Sequence, residues 1–199
     1  MTTKTTRGRS PLVLRTADAA DAPALHALIA GCREEGHLLP RSLDELSRHA
    51  TRFVVAVRGK RVIGCGDLAG LSRRVAEVRS LAVAPRERRQ HVGQMIVDHL
   101  RQRAADQGFE KLCAFTHAPG YFIQMGFSIV PHLWLLEKVT TDCVKCPLFN
   151  QCGQYAMVLP LGPSRERAAE RTKSIPLVHV SSPASRDVHE DAAVGARGL

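Results

Sequence analysis

The apolar positions of this chain change period several times, and the changes mark its elements. Residues 12–15 are a short apolar run and a strand candidate. Leu25, Leu28, Ile29 and Cys32 then recur at i, i+3, i+4 and i+7, one apolar face of a helix. Asp18 or Asp21 is placed to cap that helix and Gly36 to end it. Ser42 followed by Glu45 reads as a capping box for a second, short helix carrying Leu43 and Leu46. Residues 53–57 and 62–68 read as strands joined by a hairpin turn at 58–60 around Gly59, and 77–83 as a further, central strand. Val92, Met95, Ile96, Leu100 and Ala104 restore the helical period over a long amphipathic segment ending near Gly108. Residues 111–116 then read as a strand, 119–125 as a short helix, and 127–130 and 155–159 as strands. The order β-α-α-β-β-β-α-β-α-β-β predicts an α/β (α+β) fold, a mixed sheet with helices on its faces.

Composition narrows the class. At 199 residues, 44% hydrophobic and 24% charged, the chain is long enough to bury a real core in one globular domain. Residues 1–10 and 162–199 are polar, charged and rich in Pro, Ser, Ala and Gly, and read as disordered tails around a domain at 11–161. No apolar stretch has the length of a membrane span, so no membrane partner is expected. The N-terminus has positive charge but no apolar segment behind it, which argues against a secretory signal and makes a cytoplasmic location the default. The six cysteines are then expected to be reduced, metal-bound or buried. The net charge of +9 suits an anionic ligand, whereas an aromatic content of 5% leaves little to stack on bases, and no nucleic-acid partner is expected.

The segment 76–95, AEVRSLAVAPRERRQHVGQM, carries the chemistry. An apolar strand ends at Pro85, a basic loop follows, and a helix starts near Val92. Strand backbone left free at an opening pairs with an extended ligand arm, while the loop and helix N-terminus offer N–H groups and positive charge to a pyrophosphate. This run and the element order together resemble the acetyl-CoA-binding core of the GNAT superfamily of N-acetyltransferases, over nearly the whole domain. The resemblance implies a GNAT fold with a mostly antiparallel central sheet, whose fourth and fifth strands splay apart to form the acetyl-CoA cleft. Acetyl-CoA would be the co-substrate, its pantetheine arm lying along Leu81, Ala82 and Val83 and its thioester carbonyl polarised by the Leu81 N–H. The family's phosphate loop reads Arg/Gln-x-x-Gly-x-Gly/Ala. Arg88 and Gly93 match it, but His91 replaces the middle glycine and Arg89 the glycine that usually follows the arginine. Glycine permits φ > 0 and close approach of backbone to phosphate; histidine and arginine offer charge instead. The expected cofactor contacts are Arg88, Arg89, Gln90, His91, Val92, Gly93 and Gln94.

The resemblance further implies a catalytic role for Glu77, on the strand where many members carry a glutamate that deprotonates the attacking ammonium through water. Pairing of Glu77 with Arg79, two residues on and on the same face, is an equal alternative. Many members protonate the leaving thiolate with a tyrosine four residues before the glycine of a Gly-Phe pair. That position is Phe122 here; Tyr121 is one residue early and is expected to point elsewhere, leaving the thiolate without a dedicated donor.

Four stretches resemble, in order, a narrower group, the short bacterial amino-acid N-acetyltransferases of the N-acetylglutamate synthase type. They are GHLLPRSLDEL from Gly36, EVRSLAV from Glu77, FTHAPGYFIQMGF from Phe115 and TDCVKCPLFNQC from Thr141. The implied reaction is acetylation of the α-amino group of L-glutamate, the entry step of arginine biosynthesis. Two acceptor carboxylates call for two cationic clamps. Arg41 and Arg79 are the candidates and Lys138 a weaker candidate cation, with Ser42 as an added hydrogen-bond donor. Acetylation of another amine, or a non-catalytic acetyl-CoA or amino-acid sensor, remains open at this level. Edge strands in the superfamily often pair, so a homodimer is one state the resemblance allows.

Cys143, Cys146 and Cys152 form C-x2-C-x5-C, whose first pair has zinc-knuckle spacing. Structural zinc takes a fourth ligand, for which His132, Asp142 or Cys113 would have to serve. A turn with small buried residues before Pro147 outweighs zinc as the reading. Cys32 and Cys65 fall on apolar faces and read as core.

Overall fold

The computed structural model describes residues 10–33 and 38–162. Apart from Ser10 and Gly162, the expected tails lie outside the described residues, as does the helix stop at Gly36. A seven-stranded sheet runs through the described chain in the order β1 (Leu12–Thr16), β2 (Phe53–Arg58), β3 (Arg61–Gly70), β4 (Val75–Val83), β5 (Lys111–Thr116), β7 (Tyr155–Pro160) and β6 (Ser128–Val130). Every neighbouring pair is antiparallel except β4 and β5, which are parallel. Helices α1 (Ala22–Arg33), α2 (Leu43–Arg48), α3 (Val92–Asp106), α4 (Pro119–Ile123) and α5 (Leu136–Thr141) complete the fold. The expected GNAT architecture is present, and the central strand lies where the sequence places it. The pattern did not reveal α5, which sits between strands in a stretch with no clear period.

Alternation along the central strands sends side chains into two cores. Val54, Ala56, Ile63, Ala76 and Val78 pack under α3 with Val92, Ile96, Val97 and Leu100. Phe53, Val55, Cys65 and Ala82 pack under α1 and α2 with Leu25, Ile29 and Leu46. Close approach of α3 to the sheet depends on two glycines of β3. A Cβ on Gly64 would lie 2.9 Å from Ile96 Cδ1, and one on Gly66 2.8 Å from Ile96 Cγ2. Among the described residues no helix is long and apolar enough to cross a membrane.

The caps differ in part from expectation. Asp18 and Asp21 share the work: Asp18 accepts from the Ala20 N–H while Asp21 accepts from the Asp18 N–H, around a 3-10 turn at Ala19–Asp21 that leads into α1. Only half of the second capping box forms. Ser42 Oγ accepts from the Glu45 N–H at 3.1 Å, but the Glu45 carboxylate turns instead to Arg41, because a guanidinium is the stronger partner.

Candidate active site

Two local features of β4 open the site. The first is where its pairing with β5 stops. The parallel register runs from Val75↔Lys111 to Val78↔Ala114, yet β4 continues to Val83 and β5 to Thr116. From Arg79 onward, β4 therefore has no β5 partner on that side, and the strands part as expected. The second is a bulge. Asp67 pairs with Arg79 and Cys65 with Ala82, so between these pairs one residue of β3, Gly66, faces two of β4, Ser80 and Leu81. Ser80 takes up the extra length at φ +49. The slip exchanges faces. Val75 and Ala82 lie on the two sides of the bulge in clusters away from α3, whereas Leu81 and Val83 pack toward α3. Glu77 and Arg79 thus face α5, while Leu81 and Val83 line the opening.

That opening is a cleft of about 700 Å3. Of the ten expected cofactor contacts, nine line it: Leu81, Ala82, Val83, Arg88, Arg89, His91, Val92, Gly93 and Gln94. Gln90 does not; its side-chain amide donates to the Arg86 carbonyl at 3.2 Å. Arg88 donates from Nε to the Val83 carbonyl at 3.1 Å, which ties the loop to the end of β4. The first intrahelical bond of α3 runs from the Met95 N–H to the His91 carbonyl at 2.9 Å. The amides of Val92, Gly93 and Gln94 therefore have no acceptor within the helix and point to its N-terminal end. Arg89 and His91, where the family carries glycine, both hold left-handed backbone, at φ +61 and +57. The loop keeps the glycine conformation without the glycines.

Tyr121 corrects an expectation. Its side chain does not point elsewhere: it lines the cleft, and a Cβ on Gly93 would come within 2.5 Å of its hydroxyl. Phe122, at the family's tyrosine position, is buried edge-on against Phe127. Burial pushes the Tyr121 phenol up to about 12, so it keeps its proton and can donate. Pro119 at the start of α4 sets the turn that delivers Tyr121, and Gln124 and Cys32 also reach the cleft. Cys32 is a core residue as expected, with its thiol 3.7 Å from the Val83 carbonyl.

Beside this cleft lies a cluster of charges. Glu77 is buried, and its carboxylate takes Arg79 Nε at 2.5 Å and Lys138 Nζ at 2.9 Å. Asp142 accepts from both the same cations, Arg79 through its terminal nitrogen and Lys138 at 2.8 Å. Across the β3–β4 pair, buried Asp67 accepts from Arg52 at 2.9 and 3.1 Å and lies 3.9 Å from Arg41. Arg41 in turn holds Glu45. Burial pushes the Asp67 carboxyl up, outweighing the pull of Arg52 and Arg41. Partial burial opposes the charge of Asp142, but Lys138 and Arg79 together hold its carboxyl below the ordinary range. Burial likewise works against Arg79, and Glu77, then Asp142 and Asp67, hold it above its ordinary value. Arg41 and Arg79 are therefore brought into one cluster, each already carrying a carboxylate. Ser42 stays on the rim as the cap of α2. Asp67 and Arg52 were not read as part of a site, and Asp142 only as a possible zinc ligand, since each contributes one isolated charge to its own stretch of sequence.

The zinc candidate is not assembled. Among the described residues no group of three or more His, Cys, Asp or Glu side chains is gathered as metal ligands. Cys143, Cys146 and Cys152 sit on short 3-10 turns as free thiols, Cys152 exposed.

The sequence model described as "Acetyltransferase (GNAT) family" matches residues 22–127, which span α1 to α4 and hence the whole cleft. The chain belongs to this family. It is 32% identical over 148 residues to an uncharacterized N-acetyltransferase of Chlorobaculum tepidum, covering 74% of this chain and 96% of that protein. It is also 29% identical to the amino-acid acetyltransferase of Pasteurella multocida, but over 63% of this chain and only 29% of that longer enzyme. Among solved structures, N-acetylglutamate synthase from Neisseria gonorrhoeae, complexed with coenzyme A and N-acetyl-glutamate, superposes with a TM-score of 0.69 at 25% identity. That match covers 76% of this chain and 35% of the synthase. A Mycobacterium tuberculosis protein in complex with CoA matches with a TM-score of 0.64 at 25% identity, over 74% of this chain and 98% of its own. As a GNAT-family N-acetyltransferase, the chain is an enzyme of acyl transfer to an amine.

Proposed function

We propose that this acetyltransferase transfers acetyl from acetyl-CoA to the α-amino group of L-glutamate by direct attack in a ternary complex. The observation that carries the reading is the convergence of three cations on the buried carboxylates of neighbouring strands, Arg41 toward Asp67 of β3 and Arg79 and Lys138 on Glu77 of β4. Likeness to amino-acid acetyltransferases and to a synthase bound to N-acetyl-glutamate supports the same acceptor.

The residues present fit acetyl-CoA. The free edge of β4 at Leu81–Val83 suits an extended pantetheine arm, and the open amides of α3 with Arg88 and Arg89 suit a pyrophosphate. Gly93 leaves room that any Cβ would take from Tyr121. When bound, acetyl-CoA supplies the thioester carbonyl that the amine attacks. Leu81 donates its N–H to that carbonyl oxygen as negative charge builds there. Glu77 takes the ammonium proton through water. It is held in place for this by Arg79 and Lys138, so the pairing and catalytic readings of Glu77 describe one arrangement. Arg41 and Arg79 grip the acceptor carboxylates. Tyr121, protonated and in the cleft, is the donor available to the CoA side.

A second reading has its own support. The cluster carries four carboxylates (Glu45, Asp67, Glu77 and Asp142) as well as four cations, which also suits an acceptor with a second amine. Thiol release from acetyl-CoA, measured with each of the twenty amino acids and with spermidine, separates the two. Release with glutamate alone upholds the first; release with spermidine or lysine and none with glutamate replaces it. CoA binding without release from any acceptor overturns both in favour of a sensor.

A further inference from the structure

The two arginines expected to clamp the acceptor are each occupied from within, and by different carboxylates. Glu45, in the first turn of α2, holds Arg41; Asp142, at the C-terminal end of α5, holds Arg79 together with Lys138. These two carboxylates are unlike the other two of the cluster. The Asp67 and Glu77 side chains are 2% and 4% exposed, enclosed by their cations, and could leave only by abandoning charge in the interior. Glu45 and Asp142 are 35% and 37% exposed and can turn to water by side-chain rotation alone. Asp142 also ends its helix, where the chain passes into short 3-10 turns at Cys143–Lys145 and Phe149–Gln151.

We infer that Glu45 and Asp142 are internal stand-ins for the two carboxylates of a dicarboxylic acceptor, occupying Arg41 and the Arg79–Lys138 pair until the acceptor displaces them. The inference rests on the reading of the acceptor as an acidic amino acid and adds how selectivity for it arises. The exchange conserves charge. Two carboxylates leave the cations and two arrive, so no cation is left unpaired in either state. An acceptor with one carboxylate releases only one stand-in and gains half of the exchange. An acceptor with none meets a cluster already closed by its own ion pairs. Glu45 and Asp142 thus act as specificity-determining residues, and Arg79 and Lys138 stay ordered in the absence of acceptor, which keeps Glu77 in position.

The test uses the full chain with Asp142→Asn and Glu45→Gln, singly and together, and with Glu137→Gln as control. Glu137 removes the same charge from α5 but has no ion pair with Arg79 or Lys138 among the described residues. Two measurements are made: the KM for glutamate and for acetyl-CoA, and calorimetric binding of glutarate, a dicarboxylate that cannot be acetylated. Removing a half-exposed ion-pair competitor is expected to tighten glutarate and lower the KM for glutamate about fivefold per site, the equivalent of ~1 kcal/mol. The KM for acetyl-CoA and the control should move less than twofold. Unchanged or weaker glutarate binding in both Asp142→Asn and Glu45→Gln overturns the inference even if the wild type acetylates glutamate. An equal shift in Glu137→Gln overturns it too, by showing that charge and not occupancy matters. If glutarate tightens as expected while glutamate is not acetylated, the acceptor reading falls and the stand-ins remain. If neither glutarate nor glutamate binds any form, both fall. The two single variants lie on separate helices, so misfolding of one leaves the other to decide.

Discussion

Replacing His91 with glycine tests whether the phosphate loop is held against its own backbone preference. His91 sits at φ +57 and Arg89 at φ +61. For a residue with a Cβ, left-handed backbone costs roughly 1–2 kcal/mol. Glycine escapes that cost but adds about 0.5–1 kcal/mol of freedom to the unfolded chain. His91 also gives up an exposed contact from Nδ1 to Gln94 Oε1 at 3.2 Å, which is worth at most about 0.5 kcal/mol. The balance is a gain of about 0.5 kcal/mol for His91→Gly and roughly 1 kcal/mol for the double variant with Arg89→Gly, or about 2–4 °C in Tm. His91→Ala is the control, since it removes the ring but keeps the Cβ and should give no gain. Urea midpoints of the ligand-free proteins measure all four. A lower midpoint in both glycine variants, or an equal gain with alanine, would refute the argument that these two residues carry backbone strain in place of the family's glycines.

Gly93→Ala should raise the KM for acetyl-CoA about fivefold, because its Cβ meets Tyr121 Oη at 2.5 Å and Val83 Cγ2 at 3.5 Å. Adding Tyr121→Ala should restore the KM, and no recovery would place the effect elsewhere. Arg41→Ala should raise the KM for glutamate while leaving CoA binding intact, and Arg88→Ala should weaken CoA itself; equal loss of CoA affinity in both would remove Arg41 from the acceptor side. The Arg15 hydrogen bonds hold the Asp21 carboxyl below the ordinary range. Its contribution to stability is therefore complete above about pH 4, the unfolded value, and is lost as pH falls through the lower folded value. Asp21→Asn should flatten the acid limb of unfolding below about pH 4, and an unaltered slope would contradict that linkage.

What was legible depended on whether neighbours in sequence are neighbours in space. The period of Val92, Ile96 and Leu100, and the hairpin at Gly59, are local signals and appear where expected, Gly59 at φ +61. The cofactor side is local as well. Residues 76–95 form one continuous strand, loop and helix start, and nine of its ten named contacts line the cleft. The misses have identifiable causes. The bulge at Ser80 left no mark, because serine at φ +49 has no sequence signature of the kind glycine provides. Tyr121 was misdirected because its aim was counted from Gly126 alone. Its position is set also by Gly93, twenty-eight residues earlier, which leaves space for its ring.

The acceptor side shows the opposite condition. Its charges come from the loop before α2, the turn before β2, β3, β4 and α5, and each looks like a solvated surface charge within its own stretch. Arg41 was legible as a cation near the chemistry but not as one already neutralised by Glu45; for Arg79 the sequence offered Glu77 as a partner but not Asp142. That distinction alters the physics of acceptor binding. A free clamp would attract an acidic acceptor by net charge, and salt would weaken it. An occupied clamp exchanges one carboxylate for another at short range, and screening acts on both sides of the exchange. The cofactor side has exposed cations at Arg88 and Arg89. Raising ionic strength from 0.05 to about 0.5 M, where the Debye length shrinks below ~5 Å, should therefore raise the KM for acetyl-CoA several-fold and that for glutamate less than twofold. A steeper salt dependence for glutamate than for acetyl-CoA would mean that the clamps act as open charges, and that the ion pairs of Glu45 and Asp142 do not persist in the working enzyme.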